Sequence, residues 1–296
     1  MGTSRHLGYG QGEHVIDVEL VTAAAVSAAL DATFGSPEYR PPFLPAVALQ
    51  VYELTRPQDV DIGAVCAAIE TDALLSADVL RLTETGSLAR ATPCRSVREA
   101  AMRLGTQALR DHVFRVSLET RVFRSTYFQS SMESLRVHSI AVGTVARRVM
   151  EETSHSTEFA FLAGVLHDIG VAAGLIVFSE WEKAGRYPGD EVAIPALMEV
   201  HAQAGEQIAT LWNLPLELRW IVGAHHTGKI GTAVHPVASA CIVAESIVND
   251  LGLGLCVGAY EVDVVHPLSL GSAIESLGLE PKVLERLRHE AAELLS

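Results

Sequence analysis

Aromatic residues make up only 6% of the 296-residue chain, so its core has to be assembled mainly from Ala, Val, Leu and Ile within an apolar fraction of 49%. Such a core favours helix packed on helix. Basic residues are also scarce: 22 Lys and Arg against 36 Asp and Glu leave a net charge of −14, a field that repels a phosphate backbone. No concentrated basic patch offsets it, and direct nucleic-acid binding is disfavoured. Four cysteines, Cys66, Cys94, Cys241 and Cys256, are too few and too dispersed for a disulfide scaffold, and no CxxC pair suggests a zinc or redox site. A cytoplasmic setting is the simple expectation. The opening MGTSRHLGYGQGEH has no apolar signal region, and the most apolar later stretch, Phe161 to Phe178, is interrupted by His167 and Asp168, so no membrane span is expected.

Strand-like alternation is nearly absent as well, and helical periodicity takes its place. A polar leader precedes an Ala- and Val-rich helix at Val15 to Ala32; together they form a first segment over 1–40. The stretch FGSPEYRPPFLPA carries four prolines, Pro37, Pro41, Pro42 and Pro45, which disfavour helix and sheet interiors alike and mark a boundary. Short helices split by turns then fill 41–130: AVALQVYELT, IGAVCAAIETD, ALLSADVLRLTETG, SVREAAMRLG and TQALRDHVFRVSLETRVF. Ser130 and Glu133 form an S-x-x-E capping box, predicting a helix from about Ser131 to Glu152 and the start of a second half over 131–250. Further helices are expected near 156–168, 192–211, 215–225 and 236–250, with Gly170 as a C-cap and Pro215 in a first turn. A C-terminal extension over 251–296 carries one short strand candidate within 254–265 and a helix at 281–295. The fold class is all-α, with two packed helical halves.

Ionisable residues interrupt the apolar stripes of that second half. Stepping by three and four, Leu135, His138, Val142, Val145 and Val149 share a face. The face Phe159, Leu162, Ala163 and Leu166 runs on to His167 and Asp168. His201 sits among Leu197, Ala204, Ile208 and Leu211; Leu218, Ile221 and Val222 lead to His225 and His226; Glu245 shares a stripe with Ala238, Cys241 and Val248. A lone buried histidine is ordinarily a core residue bonded to a carbonyl. Five helices each turning an ionisable group inward are different, because unpaired burial costs several kcal/mol apiece and a shared metal satisfies all at once. Imidazole and carboxylate suit Fe, Mn, Ni or Zn, as one or two divalent ions, and Asp168 could bridge a pair.

The order of His138, His167-Asp168 in LHDIG, His201, His225-His226 and the acid in VAES resembles the HD superfamily of metal-dependent phosphohydrolases, its HD-GYP branch above all. Upstream, the entry PPFLPA, the stretch around DALLSADVLRL and the helix SVREAAMRLG resemble an HDOD domain, covering about Pro42 to His235. The resemblance implies an all-α fold whose second half is an HD-like bundle. It also implies a bacterial signal-transduction module with metal ligands His138, His167, Asp168, His201, His225, His226 and Glu245. Glu245 stands where the family has Asp, one methylene longer.

Two departures bear on catalysis. Val171 follows HDIG where catalytic relatives carry Lys, and HHTGKIGTAVHP replaces the HHE and GYP signature. A regulatory module acting through a protein partner, with a homodimer as another assembly, is therefore the first reading. A metal-dependent phosphodiesterase acting on a cyclic dinucleotide or nucleotide, with Asp168 as the metal-bridging catalytic residue, is the alternative. A purely structural polar cluster is the third. Lys229 is a candidate phosphate contact but reads equally as a surface residue. His235 and His266 read as loop residues, His112 and His155 as surface, Arg147-Arg148 with Glu151-Glu152 as exposed pairs, and Trp181, Trp212 and Trp220 as inter-helix packing.

Overall fold

The computed structural model describes residues 22–56, 59–84, 93–262 and 265–295. The leader and the first turns of the helix expected over 15–32 lie outside the described residues. Fourteen helices and two two-stranded hairpins are present among those described, so the protein is all-α.

Helix α1 (Ala23–Phe34) starts at Thr22, whose hydroxyl accepts from the Ala25 amide. The four-proline segment follows as an irregular connection. Helices α2 (Ala46–Leu54), α3 (Ile62–Glu70), α4 (Ala73–Leu82), α5 (Val97–Leu104) and α6 (Thr106–Arg121) match the expected set. Asp61, Asp72 and Ser96 cap three of them with side-chain oxygens. Ser96 and Glu99 form a box-like reciprocal pair: Ser96 Oγ accepts from the Glu99 amide at 3.1 Å, while Glu99 accepts from the Arg95 amide at 2.8 Å.

The capping box expected at Ser130 does not form. Helix α7 (Gln129–Glu151) begins after Phe128 with no side-chain cap, and Glu133 instead pairs with Arg136. Helix α8 (Ala160–Leu166) stops at His167-Asp168, and the chain enters α9 (Ile169–Lys183), a helix that the stripe pattern did not predict. Gly170 is thus no C-cap. It lies in the first turn of α9 at a point of backbone contact, where a Cβ would stand 1.9 Å from the His201 carbonyl oxygen.

Helices α10 (Asp190–Leu211), α11 (Leu216–Gly223) and α12 (Pro236–Asp250) fall where periodicity puts them. The strands β1 (Lys229–Ile230) and β2 (Ala233–Val234) form a small hairpin between α11 and α12 that was not anticipated. Strands β3 (Cys256–Val257) and β4 (Tyr260–Glu261) pair antiparallel in the segment read as strand-forming. Helix α13 (Pro267–Leu277), also unpredicted, and α14 (Pro281–Leu295) complete the described chain.

Helix α7 packs along α8 and α12, α10 lies between α9, α1 and α11, and α13 covers α12. One apolar core runs from Val26 to Ala291 through both halves. The stretch Ala160–Lys183 is long and apolar enough to cross a bilayer, yet the most apolar 18 residues of it are 94% buried inside this fold as α8 and α9.

The junction between the halves is charged. Asp111 and His112 on α6 are buried, so the surface reading of His112 is corrected; His155 is exposed. Arg147 pairs with Asp111 rather than with the end of its own helix, while Arg148 takes Glu151, Glu152 and Glu290. Arg110 lies over the Tyr52 ring and donates to the Glu158 carbonyl at 3.1 Å. Trp181 and Trp212 pack inside, whereas Trp220 is 42% exposed, because α11 turns it outward.

Candidate metal centre

Six of the seven expected ligands converge. His138 comes from the middle of α7, His167 and Asp168 from the α8–α9 joint, His201 from α10, and His225 with His226 from the turn after α11. All but His226 are buried, and His226 is partly exposed. Two donor groups result, His138 with His167 and Asp168, and His201 with His225 and His226, their ligand atoms within 4.8 Å of one another in each group. Glu245 is buried on α12, as its stripe predicts, but belongs to neither group.

Each buried imidazole is held by its far nitrogen. Nδ1 of His167 lies 2.6 Å from the Gly164 carbonyl, that of His201 2.8 Å from Met198, and that of His225 2.6 Å from Val222, each three residues back. His138 Nδ1 lies 2.9 Å from the Leu253 carbonyl. A carbonyl can only accept, so Nδ1 carries the proton in all four rings, and Nε2 presents its lone pair to the interior. These acceptors are backbone atoms, which no residue pattern reveals.

The Nε2 atoms surround Asp168. Oδ2 lies 3.1 Å from His167 Nε2 and 3.9 Å from His138 Nε2; Oδ1 lies 3.4 Å from His201 and 3.5 Å from His225. His201 Nε2 also stands 3.3 Å from His225 Nε2 and 2.9 Å from His226 Nε2. With Nδ1 protonated in those four rings, their approaches to Asp168, and that of His201 to His225, bring acceptor against acceptor. Buried acceptors facing one another repel unless a cation lies among them, and the atoms His138 Nε2, Asp168 Oδ1 and Asp168 Oδ2 have no hydrogen-bond partner. The donor set therefore fits a metal ion, and its carboxylate turns one oxygen toward each group.

Electrostatics favour the same state. Burial, reinforced by His167, holds His138 down at about 4 against the opposing pull of Asp168 and Leu253. Burial and His201 do the same to His226, also to about 4, and burial with His226 places His225 well below the ordinary range. Burial alone would raise the Asp168 carboxyl, but its neighbours His167 and His201 outweigh it and hold it well below the usual range. Neutral imidazoles at His138, His225 and His226 and an anionic carboxylate at Asp168 are protonation states that metal ligands need.

Val171 is wholly buried on α9, and Lys229 is exposed on β1. His235 reaches Glu217 at 3.2 Å, and His266 caps α13, accepting from the Leu268 amide at 3.3 Å, so both sit in loops as expected. Cys241 is buried beside Glu245, where burial, with Glu245, pushes its thiol up to about 12, out of thiolate chemistry. All four cysteines are unpaired.

Solved structures share this architecture. A candidate metal-dependent phosphohydrolase from Shewanella amazonensis SB2B superposes with a TM-score of 0.67 at 17% identity, covering 93% of this chain and 99% of that one. An HDOD domain protein of unknown function from Geobacter sulfurreducens gives 0.66 at 22% identity, covering 92% and 99%. A candidate signal transduction protein from Marinobacter aquaeolei VT8 gives 0.69 at 18%, covering 95% of this chain and 66% of that one. In sequence, an uncharacterized protein of Treponema pallidum (strain Nichols) is 25% identical over 194 residues, or 62% of this chain. The match spans 37% of that relative's length. The HDOD domain family itself matches residues 42–228, from the last prolines of the connecting segment through the double histidine, and the chain belongs to that family.

Proposed function

We propose that the protein is a regulatory HDOD module in signal transduction, whose His/Asp cluster holds one or two divalent transition-metal ions and whose output passes to a protein partner. The observation that carries this reading is the enclosure of the centre. His138, His167, Asp168, His201 and His225 are buried, and His226 alone of the six is partly open to solvent. A site closed on this scale suits an ion that fixes or senses a conformation. His138, His167 and Asp168 would hold one ion, and His201, His225 and His226 would hold the other. Bound ions would supply positive charge among the facing acceptors and Lewis acidity toward a phosphoryl oxygen. The backbone carbonyls of Gly164, Met198, Val222 and Leu253 orient the rings, and the apolar helices exclude water.

The two-sided placement of Asp168 favours a second reading, a metal-dependent phosphohydrolase. Against it stand the buried Val171, where a phosphate-binding lysine would serve, and the exposure of Lys229 on β1. The net charge of −14 also opposes polyanionic partners. Protein loaded with Mn²⁺ or Fe²⁺ should show no turnover of cyclic dinucleotides or bis(p-nitrophenyl) phosphate above that of Asp168→Ala. Turnover abolished by that substitution would replace the regulatory reading with the hydrolytic one.

A further inference from the structure

The family match ends at residue 228, yet one contact that orients the centre comes from beyond it. Three buried histidines use a carbonyl of their own chain segment, three residues back. His138 differs: its Nδ1 donor meets the carbonyl of Leu253, 115 residues further on, in the turn between α12 and β3. Ser131, Ser134 and His138 lie along one stripe of α7, stepping by three and four, and all three meet this same segment. The Cys256 amide donates to Ser134 Oγ at 2.9 Å, and the Gly258 amide donates to Ser131 Oγ at 3.0 Å. Leu255 and Val257, on the intervening positions, are buried in the core. The β3–β4 turn that ends this segment requires glycine, since Gly258 sits at φ +61°.

We infer that residues 253–258 form a strap that positions His138, and that docking of this strap and occupancy of the metal centre reinforce each other. The inference rests on the metal reading above. When the strap is seated, the Leu253 carbonyl fixes both the tautomer and the ring plane of His138, aiming Nε2 at the Asp168 side of the cluster. When it lifts, Nδ1–H loses its acceptor and the ring is free to turn. Thermodynamic reciprocity then requires that an ion preferring the seated arrangement also hold the strap down, by the same factor. The strap joins α12 to α13 and α14. Whatever engages that end of the protein would thereby read, or set, the state of the centre.

Leu253 contributes a main-chain atom, so the two serines are the handle. The test uses Co²⁺ as the probe on the full chain, comparing wild type, Ser131→Ala/Ser134→Ala, and Ser139→Ala. Ser139 lies on the same helix, with its buried hydroxyl making no hydrogen bond, and serves as the control. The double variant should bind Co²⁺ about 10-fold more weakly, as loss of an orienting contact does, and its d–d absorption should shift; the control should match wild type. In wild type, Co²⁺ should slow amide hydrogen exchange at Cys256 and Gly258 by a comparable factor. Unchanged affinity and spectrum in the double variant, or strap exchange indifferent to Co²⁺, would overturn the linkage while leaving the metal centre standing. Wild type that takes up no ion would overturn the metal reading, and the linkage with it.

Discussion

Substituting Gly170 by alanine separates the role of the α9–α10 approach from general stability. A Cβ at this position would lie 1.9 Å from the His201 carbonyl oxygen, 2.8 Å from its carbon and 2.9 Å from the Gly205 nitrogen, wedged into the i to i+4 hydrogen bond of α10. Ordinary contact begins at 3.4 Å, so the backbones must part by about 1.5 Å, and no side-chain rotation relieves it. Alanine returns about 1 kcal/mol through helix propensity. Overpacking of a close-packed interior costs about 1–3 kcal/mol, and a main-chain clash belongs at or above the top of that range. A net loss of about 2 kcal/mol or more lowers the unfolding midpoint by roughly 4 °C in a chain of this size. The displacement falls on His201 itself, and metal ligands tolerate only about ±0.2 Å, so ion affinity should fall by more than stability alone explains. Gly174→Ala is the comparison on the same helix pair. Its Cβ would meet the tips of Leu197, at 2.2 Å from Cδ1, a side chain that can turn away. Thermal unfolding and Zn²⁺ competition titrations of both variants decide the matter. Gly170→Ala with wild-type midpoint and wild-type Zn²⁺ affinity would refute the argument.

The charged junction yields two further expectations. Burial pushes the Asp111 carboxyl up against the opposing pull of Arg147 and Arg110, so Asp111→Ala leaves two cations without their shared counter-charge. It should cost about 3–5 kcal/mol in urea unfolding, and a loss under about 1 kcal/mol would show the pair to be dispensable. Burial, with Arg115 and Arg81 adding to it, lowers His112 from 6.5 to about 4. The unfolded chain therefore takes up this proton first, so the contribution is intact above pH 6.5 and is lost as pH falls toward 4. About 2 kcal/mol should be gone by pH 5, and His112→Asn should remove that share of the slope; an unaltered slope would count against burial of the ring.

The helices with one apolar face were legible from spacing, and so were the ionisable residues that interrupt those faces. His138 and His201 are single polar breaks in otherwise apolar stripes, and the core requires a reason for each. Helix α9 escaped because the HDIG glycine reads as a stop signal, when its lack of a Cβ serves a crossing with α10. His112 escaped for another reason. Residues Leu109 to Phe114 are buried in succession, since α6 is packed by α2, α4, α5 and α8, and a helix enclosed on several sides has no amphipathic period to read. The cap expected at Ser130 is missing because α7 already begins at Gln129, which puts Ser130 inside the first turn rather than ahead of it. Helix α13 did carry local signals, with His266 and Pro267 at its start and Gly278 in the left-handed conformation at its end. The carbonyls that set the imidazole tautomers had none, because every residue type supplies one.

Elemental analysis of the purified untagged chain, beside Asp168→Ala prepared in parallel, tests the metal centre most directly. Wild type should carry one or two equivalents of Fe, Mn, Ni or Zn, and that metal should be lost when the carboxylate facing both donor groups is removed. Equal metal content in the two proteins, or none in either after reconstitution, would contradict it.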